Sequence, residues 1–185
     1  MDEKEPDKEN LKANKVKQFL KGNIIIIVVI ILIIVLAYIL IRPFFIDLVG
    51  EKAPNFNLKS IDGEEIKLSD NFGKVIILDI MTTTCPPCIS EMEHLKGVYN
   101  RYPSEELVIM TISIDNSDSN EDLSTFREKY GDNWTFARDT DDVENKYNVR
   151  YTPTIVIIDR EGIIRHYHEG ETSFQTLSKE VERLI

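Results

Sequence analysis

Between Ile24 and Ile41 the chain runs for eighteen residues without a charged side chain, ten of them isoleucine, with Lys21 before the run and Arg42 after it. Coiled as a helix at ~1.5 Å per residue, that stretch is roughly 27 Å long, close to the ~30 Å hydrocarbon layer of a bilayer. Phe44, Phe45 and Ile46 continue the apolar surface. A helix apolar on every side has no polar face to turn toward water, and eighteen residues exceed the length of an ordinary strand. A removable leader has an apolar core of about 7 to 15 residues followed by a small-residue cleavage site; here Arg42-Pro43-Phe44-Phe45 follows instead. The sequence therefore predicts an uncleaved transmembrane anchor over residues 24–46, and this limits what remains to one domain of ordinary size.

Lys12, Lys15, Lys17 and Lys21 precede the apolar run, whereas Arg42 and Lys52 follow it. Basic residues stay on the cytoplasmic side, so residues 1–23 are expected there as a charged tail, in a single-pass protein of the cell membrane. A linker over 47–52 then leads to an extracytoplasmic domain over 53–185. From Glu51 onward, 26 acidic residues face 15 basic ones, a balance that disfavours nucleic acid as a partner.

The order of elements in that domain predicts an α/β fold. Ala53-Pro54-Asn55-Phe56-Asn57-Leu58 alternates as a strand, Asp62-Gly63 makes a turn, and Glu65 to Leu68 returns, giving an N-terminal β-hairpin. Lys74 to Ile80 is a continuous apolar run, as for a strand covered on both faces. A helix follows from Cys85 to about Tyr102, and Leu107 to Ser113 forms a second buried strand. This βαβ unit implies parallel pairing. Glu121 or Asp122 opens a further helix closed by Gly131; Trp134 to Phe136 is a short extended piece, and Val143 to Tyr147 a short helix. Thr154–Asp159 and Ile163–His168 are joined by Arg160-Glu161-Gly162 and must be antiparallel. A last helix starts at Ser173, with Phe174, Leu177, Val181 and Leu184 on one face. The sum is a mixed central sheet flanked by helices.

The chain has two cysteines, three apart: Cys85-Pro86-Pro87-Cys88. Two thiols are too few for a disulfide scaffold or a closed zinc site. Their position where a buried strand hands over to a helix is more telling. A helix N-terminus carries partial positive charge and free N–H groups, both of which favour a thiolate. Cys85 is expected to be the nucleophile and Cys88 the resolving thiol, placed beside it on the first turn. Proline is tolerated in that turn but removes N–H donors, so the Cys88 N–H and the helix field are left to support Cys85. Asp79 interrupts an apolar strand six residues before Cys85. Buried there, it is expected to titrate high and pass a proton to or from Cys88. Glu91, one turn beyond Cys88, is a second carboxyl candidate near the sulfurs.

From Glu51 to Ile185 the sequence resembles the thioredoxin superfamily, in particular its membrane-anchored TlpA/ResA type. The resemblance rests on Ala53 to Leu58, Asp62-Gly63 through Leu68-Ser69-Asp70, Gly73-Lys74-Val75, Cys85 to Cys88 with Glu91, and Tyr147 through Thr154, with Gly162 and Gly170 also in family positions. It implies a thioredoxin-like fold and dithiol–disulfide exchange with protein thiols and disulfides as substrates, without a bound cofactor. It also implies a cis Pro153 facing the cysteines, leaving the Thr152 backbone open to a substrate segment. Thr84 and Pro86 on one side, with Thr152 and Pro153 on the other, are the residues expected to touch substrate. In one respect the chain departs from the family: Met81-Thr82-Thr83-Thr84 stands where aromatic residues commonly precede the first cysteine.

Two other readings compete. A peroxiredoxin-like peroxidase shares the hairpin and the strand-to-helix cysteine, but its Pro and Thr positions ahead of the cysteine fall here on Leu78 and Thr82, so half the pattern is missing. A copper-chaperone-like metal module would combine the cysteines with a histidine. His94 points away round the helix, and His166 and His168 read as alternating positions of an edge strand, so no metal ligand is assigned. Outside the cytoplasm a reductant would further require a membrane electron donor.

Overall fold

The computed structural model describes Ile24, residues 26–39 and residues 48–185. The chain divides into two compact units, Met1–Ile46 and Asp47–Ile185. In the first, residues 26–39 are helical and their large apolar side chains are exposed on every side. The remainder of the expected anchor, Ile25 and residues 40–46, lies outside the described residues, as does the charged tail 1–23. No helix among the described residues is long and apolar enough to cross a membrane.

The second unit begins with a hairpin of β1 (Asn57–Lys59) and β2 (Glu65–Lys67), with Leu58 opposite Ile66. Strand β1 is shorter than the alternation from Ala53 suggests, because the backbone ahead of it is paired otherwise. The Ala53 N–H donates to the Gly162 carbonyl at 2.9 Å and the Pro54 carbonyl accepts from Tyr147 Oη at 2.8 Å, so only the bond from the Leu68 N–H to the Phe56 carbonyl carries the hairpin pairing further back. A 3-10 turn at Leu68–Asn71 then leads into the main sheet.

That sheet has five strands: β3 (Val75–Met81), β4 (Leu107–Ser113), β5 (Thr135–Arg138), β6 (Thr154–Ile158) and β7 (Ile164–Glu169), in spatial order β5-β4-β3-β6-β7. The β3–β4 and β4–β5 pairs are parallel, β3–β6 and β6–β7 antiparallel. Helices α1 (Pro86–Arg101), α2 (Asn120–Tyr130), α3 (Val143–Lys146) and α4 (Phe174–Glu182) complete the unit. Strand β3 is buried along its whole length because both its faces are covered, which is why its sequence is an apolar run and not an alternation. Val75, Ile77 and Met81 join one core with Met92, Leu95 and Val98 of α1, Leu123 and Phe126 of α2, and Leu177 and Val181 of α4. Ile76, Leu78 and Ile80 face the opposite way, toward Phe56, Leu58, Val143 and Tyr147.

Helix α2 starts a residue earlier than expected, capped by Ser119 and Asp122 in a reciprocal capping box. Gly131 does end it, but with φ of −87°, so the left-handed cap usual for a terminal glycine is not the reason. A Cβ there would stand 2.7 Å from the Phe136 ring, so close packing is what requires glycine. In the β6–β7 turn both demands coincide: Gly162 has φ of +79°, and a Cβ would meet the Phe72 ring at 2.7 Å.

Candidate active site

The end of β3 delivers the chain into a loop, Thr82–Thr84, and then to Cys85, which is the N-cap of α1 with extended backbone. Pro86 and Pro87 occupy the first two helical positions, where a missing N–H breaks no helix bond. Cys85 and Cys88 form a disulfide, their Cα atoms 5.2 Å apart. The Cys88 N–H donates to Cys85 Sγ at 3.3 Å, the interaction expected for the head of this helix. Cys85 is half-buried and Cys88 fully buried. The Thr152–Pro153 peptide is cis. Cys85 Sγ lies 3.5 Å from the Thr152 carbonyl oxygen, so the loop before β6 does face the first cysteine. Thr84 and Pro86 are exposed, Thr152 half-buried and Pro153 buried.

Asp79 is completely buried on the side of β3 that faces α1. Burial pushes its carboxyl up to about 7, against the opposing effect of a hydrogen bond from Thr111 Oγ1 to Oδ2 at 2.9 Å. Thr111 stands opposite Asp79 on β4 and itself accepts from Trp134 Nε1 at 3.0 Å. With its lone-pair side engaged by the indole, the threonine hydroxyl is turned to donate to Asp79. Glu91 is buried as well, and desolvation, opposed by a 2.6 Å hydrogen bond from the Thr172 N–H, raises it to about 8; the charges of Asp79 and Glu171 push the same way. Asp79 Oδ1 and Glu91 Oε1 have no hydrogen-bond partner among the described residues. Two carboxyls that titrate near neutrality thus lie in the core, near enough for the charge of Asp79 to act on Glu91, which stands one turn after the buried Cys88 on α1.

Sequence reasoning missed the groups that hold these carboxyls. Thr111 is a polar residue at the register position of Asp79, Trp134 is the only tryptophan, and Thr172 contributes only its backbone. It also missed Asp118, which accepts from the Thr83 N–H at 3.1 Å, from Thr83 Oγ1 at 2.5 Å and from Ser113 Oγ at 2.5 Å. Thr83 therefore fastens the loop ahead of Cys85, a task that an aromatic residue there would not perform. Tyr151, next to Thr152, is 66% exposed.

The pattern of the AhpC/TSA family matches residues 49–167. The chain belongs to the AhpC/TSA family. Among its relatives, the thiol-disulfide oxidoreductase ResA of Halalkalibacterium halodurans is 30% identical over 152 residues, covering 80% of this chain and 85% of that protein. ResA of Geobacillus kaustophilus is 28% identical over 154 residues, covering 80% and 87%. The solved thioredoxin domain of a thiol-disulfide oxidoreductase from Bacteroides vulgatus superposes with a TM-score of 0.63 at 26% identity, covering 73% of this chain and 96% of that one. For a thioredoxin-like protein from Aeropyrum pernix the values are 0.61, 27%, 70% and 89%. This member of the family has the thioredoxin-like fold and, with its cysteine pair at the head of α1, is a thiol-disulfide oxidoreductase.

Proposed function

We propose that the protein is tethered to the cell membrane through residues 24–46 and reduces disulfides of extracytoplasmic proteins through Cys85 and Cys88. The observation that carries the chemistry is the disulfide of a partly exposed Cys85 and a buried Cys88 at the head of α1, facing the cis Thr152–Pro153 loop. The Cys85 thiolate attacks a substrate disulfide, the S–S bond breaks, and one substrate sulfur leaves as a thiolate that takes a proton from solvent while a mixed disulfide forms. Cys88 then gives up its proton to Asp79 and attacks Cys85 Sγ, which closes the Cys85–Cys88 disulfide and releases the second substrate sulfur as a thiolate, the Asp79 proton returning to solvent. Glu91 holds a further proton one turn away. The Thr152 carbonyl and the exposed Thr84 and Pro86 frame the substrate segment at Cys85. The cysteine pair carries the two electrons, so no cofactor enters the cycle.

The reducing direction is supported by what surrounds the sulfurs. A strong oxidant needs a stabilised reduced form. Here two prolines withdraw N–H donors from the first turn and no basic side chain stands in that turn, so a thiolate gains little. Sustained turnover outside the cytoplasm then requires an electron-donating membrane protein, and apocytochrome disulfides are one substrate class that fits. Equilibration with glutathione buffers tests the direction: a potential near −270 mV supports the reductase, one near −120 mV overturns it in favour of an oxidant. Cys85→Ser abolishes insulin-disulfide reduction on this reading. Turnover of hydrogen peroxide at a comparable rate would instead establish the peroxidase.

A further inference from the structure

We propose a second site, unconnected with the cysteines, in which His166, His168 and Glu180 bind a divalent transition-metal ion of the zinc type. The two histidines lie two apart on edge strand β7 and turn toward the same side as Ile155 and Ile157, their register partners on β6. On that side α4 packs against the sheet, with Leu177 and Val181 buried. Glu180 comes down from α4 between the rings. His166 Nδ1 is 3.3 Å from Glu180 Oε1, and His168 Nε2 is 2.8 Å from Oε2. The imidazoles are nearly parallel, with centroids 6.1 Å apart. One donor atom from each of the three residues lies within 4.8 Å of the others.

This is more than two ion pairs on a surface. The Glu180 side chain is only 13% exposed and both histidines are 28% exposed, so the three polar groups stand at the rim of a core that apolar residues would otherwise extend. Metal–donor bonds of about 2.0–2.1 Å in a tetrahedral site place donors roughly 3.3 Å apart, so a small closure of the three groups suffices. Two imidazoles and a carboxylate suit zinc and its neighbours better than calcium or magnesium, and three protein ligands leave a fourth position open. The bound ion would clamp α4 to β7, the outermost strand on that side of the sheet.

The test uses the full-length chain with Cys85–Cys88 oxidised, so that the thiols take no metal, and Zn2+ as the probe. Competition with a chromophoric chelator is expected to give one Zn2+ per chain. His166→Ala and His168→Ala should each weaken binding by at least about tenfold while leaving insulin reduction unchanged. Because either variant can lose its packing, the unmodified protein supplies a second readout. Its three histidines give three Cε1–H resonances, and Zn2+ should shift those of His166 and His168 but not that of His94. Saturable binding that persists in the alanine variants, resonances that do not move, or a shift at His94 alone would each overturn the site.

Discussion

At Asp79 the energetic cost of a buried carboxylate can be read against pH. The unfolded chain releases this proton near its ordinary pKa of 3.8, whereas the folded protein holds it to about 7. Between those values the native state binds more protons than the unfolded state, so stability falls as pH rises and levels off above pH 7. Glu91 adds a similar loss that extends to about pH 8. Asp79→Asn keeps an acceptor for Thr111 but cannot ionise. It is therefore expected to be more stable than the parent by roughly 2–4 kcal/mol at pH 8, the difference shrinking toward pH 4, as urea denaturation at the two pH values would measure. The same variant should reduce insulin about a hundredfold more slowly, because Cys88 loses its proton acceptor. Asp79 itself was legible in the sequence as a charge inside an apolar strand. Its partners were not, since Thr111 and Trp134 reach it only through the β3–β4 register and the packing of the segment before β5.

Among the elements, those that bury a continuous apolar surface were read most nearly correctly: β4 at Leu107–Ser113 and α1 behind its two prolines need no distant partner to declare themselves. The stretch from Ala53 to Phe56 alternates like a strand, yet the Ala53 N–H and the Pro54 carbonyl are taken by Gly162 and Tyr147, residues remote in sequence. The β6–β7 hairpin combines both kinds of information. Arg160-Glu161-Gly162 reads locally as a turn, while the Phe72 ring that closes over Gly162 comes from another part of the chain. Gly162→Ala meets an unfavourable φ and that ring together. It is expected to destabilise the domain by about 1–3 kcal/mol, seen as a lower Tm by circular dichroism, with little change in exchange activity per folded molecule.

For the whole molecule, the amino-terminal unit and the thioredoxin-like unit have separate tasks on the proposed reading. On it, the apolar sequence of Ile24–Ile41 would hold the chain at the bilayer, and the cysteine pair would do the chemistry. Removal of residues 1–46 should therefore move the protein from the membrane fraction to the soluble fraction, with insulin reduction unchanged within about twofold. In intact cells, a membrane-impermeant maleimide applied after reduction should label Cys85; labelling only after lysis would place the domain on the other side. Depth of burial sets the two sulfurs apart. Cys85 is reachable while Cys88 is 0% exposed, so every covalent adduct with a client must pass through the first sulfur and be undone by the second. A Cys88→Ala chain has lost the means to let go. It should accumulate joined to its natural clients through Cys85, and mass spectrometry of those adducts would name them from the enzyme's own hand.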